Sequence, residues 1–98
     1  MAKAYISEYS TVPVIAGRAV PTGNEPAIAE QVVTYSTTTQ SAAFNAKTIY
    51  IRVHTDSICS YEFGTNPTAT TSTPRMAAGS TEFFGVQPGH KVAFVTNT

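Results

Sequence analysis

No leucine and no tryptophan occur among the 98 residues, and only twelve side chains carry charge, six of each sign. Leucine is normally the commonest residue, and its absence removes the usual filler of helix faces and coiled-coil seams. The six cations, Lys3, Arg18, Lys47, Arg52, Arg75 and Lys91, are scattered along the chain. No basic stripe exists to neutralise a phosphate backbone, so nucleic acid is not an expected partner. A single cysteine, Cys59, excludes an internal disulfide and a thiolate metal cluster, and suits a small buried apolar side chain. The first residues, Met-Ala-Lys-Ala-Tyr, lack the charged start and apolar run of a secretory signal. No apolar stretch approaches the roughly 18 residues needed to span a bilayer. Synthesis in a cytoplasm and no membrane partner are therefore expected. The balanced charge also favours a surface occupied by partners, because solubility as a free monomer usually rests on charge away from zero.

What the chain does contain is β-branched. Sixteen threonines, nine valines and six isoleucines fill almost a third of it, and branching at Cβ fits a pleated strand better than a helical turn. The expected fold is all-β, an antiparallel β-sandwich of jelly-roll type or a partly closed barrel, in one domain spanning 1–98. A domain of this size buries only about 60–65% of the surface its unfolded chain exposes. The core is thin, and oligomerisation would supplement it.

Residues 2–9 alternate, with Tyr5 and Tyr9 on one face and Ala4, Ile6 and Glu8 on the other, which predicts a strand. Prolines at 13, 21 and 26, with Gly17, Gly23 and Asn24 among them, predict an extended, irregular arm over 10–26. Residues 28–36 admit a helical turn at 27–31, but Val32, Val33, Thr34 and Tyr35 favour a strand. A threonine-rich turn at 37–41 and a brief strand at 42–46 follow. The best-defined β core is expected over 42–98. Its strongest signal is TIYIRVH at 48–54, with Ile49, Ile51 and Val53 facing inward and Tyr50, Arg52 and His54 outward. Turn residues 55–57 then lead into ICSYEFG, with Cys59, Tyr61 and Phe63 inward and Ser60 and Glu62 outward, so the two segments read as a β-hairpin. Residues 64–74 form a polar loop free to lie on another surface. Short strands at 75–77, 81–86 and 91–95 complete the chain, the last two joined through Pro88-Gly89, with Val92 and Phe94 sharing a face.

No catalytic, cofactor or metal site is expected. His54, Asp56 and Cys59 come closest to a nucleophile, base and orienting acid. Their parity is wrong, because His54 points outward and Cys59 inward, and Asp56 is explained by turn chemistry. His54 and Asp56 alone supply too few ligands for a metal. His90 reads as a polar residue after a turn. Glu82 sits within an apolar run, and an outward strand position is its simplest reading. The glycines match neither phosphate-loop pattern. The five tyrosines invite a sugar-binding or base-stacking role, against which core and interface packing is the simpler use.

The stretch from Ser41 through Phe44, the strand at 48–54, the run C-S-Y-E-F-G-T-N-P-T-A-T at 59–70 and E-F-F-G-V-Q-P-G-H-K-V-A-F-V at 82–95 resemble small virion proteins of tailed bacteriophages. These are decoration or cement proteins that bind the outside of the capsid. The resemblance covers the last 55 to 60 residues, and its motifs are turns and strand cores rather than chemistry. It implies a structural, non-enzymatic protein made in the host cytoplasm and located on the virion surface. Its implied partners are the major capsid protein and further copies of itself, as a dimer or trimer. The expected interface residues are Pro13, Arg18, Pro21, Asn24 and Pro26 of the arm, and Asn66 and Pro67 of the polar loop. The alternative, drawn from Tyr50 and the threonine-rich loops, is a host-recognition or carbohydrate-binding module on a tail or capsid.

Overall fold

The computed structural model describes residues 2–20 and 22–97. Among them there is no helix, and ten strands form antiparallel sheets. The first sheet has the order β4 (Ala29–Tyr35), β1 (Ala2–Tyr9), β6 (Tyr50–Thr55), β9 (Thr81–Gly85). The second has the order β5 (Thr39–Gln40), β10 (Lys91–Thr96), β7 (Cys59–Gly64), β8 (Arg75–Met76). Strands β2 (Val14–Ile15) and β3 (Arg18–Ala19) pair only with each other.

The two large sheets share one core. Ala4, Ile6, Val33, Tyr35, Ile51 and Val53 of the first sheet pack in one cluster with Cys59, Met76, Val92 and Phe94 of the second. Tyr35 stacks on Phe94 with ring centroids 5.6 Å apart, joining the sheets through their aromatic faces. Half-buried Tyr61, Phe63 and Phe84 extend this cluster between β7 and β9, at centroid distances of 5.2 Å for Tyr61 to Phe84 and 5.0 Å for Phe63 to Phe84. Strands β1 and β4 add Ala4, Ile6, Val33 and Tyr35 to a cluster whose other members, from Phe44 to Phe94, lie in the segment 42–98.

Several expectations from the sequence need correction. Strands β6 and β7 do not form a hairpin, because they lie in different sheets. Alternation shows that a strand is half-buried but not which strand it pairs with. The connection is held between the sheets by Thr55, whose buried Oγ1 lies 2.6 Å from Tyr35 Oη and donates to the Ser57 carbonyl at 2.8 Å. Residues 42–46 form no strand. Phe44 plugs the core there, while the Asn45 N–H and Thr48 Oγ1 donate to Glu8 Oε1 at 2.9 and 2.8 Å. Gln31 Nε2 donates to the other oxygen of Glu8 at 3.1 Å, so this buried carboxylate accepts from one backbone and two side-chain donors. Ile49 is exposed, since β6 begins at Tyr50 and the core cluster ends at Ile51. Glu82 shares the parity of Phe84 and is half-buried at the edge of the core, not outward.

The arm at 10–26 is not extended. Ala16 and Gly17 have φ of 53° and 77°, the left-handed pair that a two-residue hairpin turn needs, so 14–19 close on themselves. The chain then returns: Val20 N–H donates to the Pro13 carbonyl at 2.9 Å and Asn24 N–H to the Thr11 carbonyl at 3.2 Å. Gly23 packs flat on the Tyr9 ring, where a Cβ would fall within 3.0 Å of three ring carbons. Tyr9 Oη donates to Glu25 Oε2 at 2.6 Å. This docking buries Tyr9 on what is otherwise the outer face of the first sheet.

The polar loop after β7 lies on its own protein. Gln40 Nε2 donates to Asn66 Oδ1 and to the Pro67 carbonyl at 2.7 and 2.9 Å, and Ala69 N–H donates to Thr38 Oγ1 at 3.0 Å. Asn97 Nδ2 ties Ser60 Oγ and the Thr71 carbonyl together at 2.7 and 3.3 Å. Ser60 and Ala93 are thereby fully buried, although strand parity puts them on the side of the second sheet away from the core.

Candidate interaction surface

With the second sheet covered by its own loop, the outer face of the first sheet is the broad β surface left open. Pairing registers give its composition. Val32, Tyr5, His54 and Thr81 form one row across the four strands, and Glu30, Ser7, Arg52 and Phe83 form the next. Tyr9, Tyr50 and Gly85 form a third, beside Ile28. Side chains of one parity share a face, so these residues project together. Tyr5, Ile28, Val32 and Phe83 are exposed there, Val32 to 53%.

Aromatic contacts fix part of this surface. Tyr50 stacks on Phe83 at 5.9 Å with 16° between the planes, and Tyr5 leans toward His54 at 6.4 Å. His54 Nδ1 lies 2.8 Å from Thr81 Oγ1. A shallow depression of about 430 Å³ runs along Tyr5, Ser7, Glu30 and Val32. The β2–β3 hairpin adds Val14 and Ile15, exposed to 67% and 64%, and every residue from 14 to 19 is exposed. Such clustering of large apolar side chains in water marks an interaction site more often than scattered single residues do.

The residues expected from sequence divide among these features. Arg18 lies on β3 beside the exposed hairpin tip. Pro13 and Asn24 hold the hairpin base through their bonds to Val20 and Thr11, and Pro26 follows a cis peptide bond in the exposed return segment. Pro21 lies outside the described residues. Asn66 and Pro67 belong to the loop on the second sheet and are bonded to Gln40, with Pro67 buried. The two groups are therefore on different parts of the fold. Sequence reasoning missed Val14, Ile15, Ile28, Val32 and Phe83. Their signal was present: Ile28 and Val32 share parity with Glu30 and Thr34, so two large apolar side chains interrupt a polar face.

His54, Asp56 and Cys59 do not converge. His54 is on the outer face of the first sheet, Asp56 Oδ1 accepts the Lys3 N–H at 2.9 Å, and Cys59 is enclosed in the core. Burial pushes the Cys59 thiol up, opposed in part by the Tyr35 and Thr55 hydroxyls. The thiol therefore stays protonated and a poor nucleophile. Burial likewise pushes the Tyr35 phenol up to about 12, against the favourable Thr55 hydrogen bond. His90 lines a smaller cleft of about 230 Å³ with Phe63, Val86 and Gln87. Among the described residues, no three His, Cys, Asp or Glu side chains gather as metal ligands.

No protein-family model matches the chain, and neither a curated protein nor a solved structure matches it.

Proposed function

We propose that this chain is a structural virion protein of the decoration type, which binds the outside of a tailed-phage capsid and reinforces the shell. The observation that carries the reading is the inequality of the two outer faces. One is covered by residues 65–74, while the other leaves Tyr5, Val32 and Phe83 in water, and the β2–β3 hairpin exposes Val14 and Ile15. A reinforcing protein needs a complementary surface and a reaching element, and needs no reaction centre. The resemblance of the C-terminal residues to decoration proteins supplies the identity of the surface bound. A jelly-roll-like sandwich is the architecture this reading assigns to the two sheets.

Area decides how the protein would attach. Four strands and the rows from Ile28 to Thr34 make a flat footprint of roughly 400 Å² from standard strand spacings. That is about half of the 800 Å² per partner in a standard stable interface. The face therefore acts together with the β2–β3 hairpin. Co-sedimentation with purified capsids tests this reading: wild type pellets with the shell and raises its disruption temperature. A chain that stays in the supernatant, or leaves shell stability unchanged, refutes it.

The stacked Tyr50 and Phe83 rings favour one second reading, a glycan-binding module, because flat aromatic faces pack on sugar rings. Glycan-array binding lost on Tyr50→Ala, with shell binding absent, selects that reading instead.

A further inference from the structure

We infer that the outer edge of β4 pairs antiparallel with the same strand of a second copy of this chain, forming a continuous eight-stranded sheet. Strand β4 is an edge of the first sheet and pairs only with β1 among the described residues. It has seven residues, AEQVVTY, with no proline, glycine or lysine. Natural edges are usually blunted by shortness, proline, lysine or bulges, since unpaired N–H and C=O groups template pairing with another chain. Both edges of the second sheet are blunted in this way, β5 and β8 having two residues each. The far edge of the first sheet, β9, has five and ends at Gly85. Among the described strands, β4 is the longest sheet edge, and Glu30 is its one charged side chain.

The sequence of β4 also suits a two-fold axis. Centring the axis on Val32 sets Val32 opposite Val32 of the second copy, Gln31 opposite Val33, Glu30 opposite Thr34 and Ala29 opposite Tyr35, so all seven residues pair. Glu30 never meets its own copy, whereas a register centred on Glu30, two residues earlier, would oppose two like charges. The symmetric pair brings together Val32, one of the more exposed apolar side chains of the outer face. About six to eight backbone hydrogen bonds close, as an antiparallel ladder of this length allows. The interface is isologous, as a two-fold requires. Both open faces then lie on the same side of the joined sheet, doubling the surface available to any partner. Dimerisation needs no shell, so this inference and the decoration reading can fail separately.

Thr34 provides the test, because it faces Lys3 within the chain and Glu30 of the second copy across the new ladder. Sedimentation velocity of the full chain, from micromolar to millimolar concentration, is expected to show a reversible dimer. Thr34→Glu sets two repelling carboxylate pairs across the axis and weakens the dimer by about two- to thirty-fold, whereas Thr34→Lys strengthens it by a comparable factor. Within the chain the order reverses, because Glu at 34 attracts Lys3 and Lys repels it. A purely structural effect would therefore move thermal stability in the opposite sense to dimer affinity. A Val32→Cys variant is expected to cross-link under mild oxidation, while the enclosed Cys59 of the wild type does not. A chain that is monomeric at every concentration overturns the inference. So does a dimer that ignores the charge at 34 and leaves Val32→Cys uncrosslinked.

Discussion

Gly23→Ala tests how the N-terminal segment is held. Alanine at a glycine position with ordinary φ usually stabilises a protein by about 0.4–1 kcal/mol, by restricting the unfolded chain. Here the sign reverses. The added Cβ falls within 3.0 Å of Tyr9 Cγ, Cδ1 and Cδ2, and Tyr9 cannot yield because its ring is buried and its hydroxyl is bonded to Glu25. Overpacking of this kind costs about 1–3 kcal/mol. For a domain of this size that lowers Tm by roughly 5–20 °C, measured by circular dichroism or calorimetry. A double-mutant cycle assigns the cause: once Tyr9→Ala removes the ring, Gly23→Ala costs nothing further. A single variant as stable as wild type, or fully additive costs, would refute the docking of Gly23 and Glu25 on Tyr9.

Three other outcomes follow from buried polar groups. Stability falls on the alkaline side: the Tyr35 phenol titrates near 10 when unfolded but is held up to about 12 when folded, so its contribution is complete below pH 10 and lost between 10 and 12. The loss is about 2–3 kcal/mol by pH 12, with Cys59, Tyr9 and Tyr61 shifting in the same direction, and a urea midpoint constant to pH 11.5 contradicts it. Glu8→Ala leaves the Thr48 hydroxyl and the Asn45 N–H without their acceptor, while Gln31 keeps the Ala42 carbonyl, and is expected to cost about 3 kcal/mol or more in denaturant unfolding. Cys59 reacts with an aromatic disulfide reagent only at the rate of unfolding; immediate labelling of native protein would disprove its enclosure.

The strand content was legible because alternation and β-branching act locally. Ala4, Ile6, Ile51, Val53, Val92 and Phe94 all occupy the inward positions that their periodicity requires. Partner choice was not legible, since it depends on long-range closure. Thr55 looked like turn chemistry, yet its buried hydroxyl carries the chain from one sheet to the other. The Ala16-Gly17 turn lacked the usual asparagine or aspartate signal, and three prolines around it favoured an open arm. The 64–74 loop appeared free because its residues are small and polar. Asn66 meets the Gln40 amide through its side chain, while Pro67, Ala69 and Thr71 bond Gln40, Thr38 and Asn97 through backbone groups that composition does not reveal. The open surface was missed for a related reason: only the pairing registers reveal which face of the sheet Val32 and Phe83 occupy.

Hydroxyl-radical footprinting of the protein, free and bound to capsids, tests most directly which surface does the binding. Side chains of Tyr5, Val14, Ile15, Val32 and Phe83 are expected to lose reactivity on the particle, while Thr70, Thr71 and Pro74 of the covering loop keep theirs. Protection of the loop, with Val14, Ile15 and Val32 unchanged, would contradict the assignment of the first sheet and its hairpin as the binding surface.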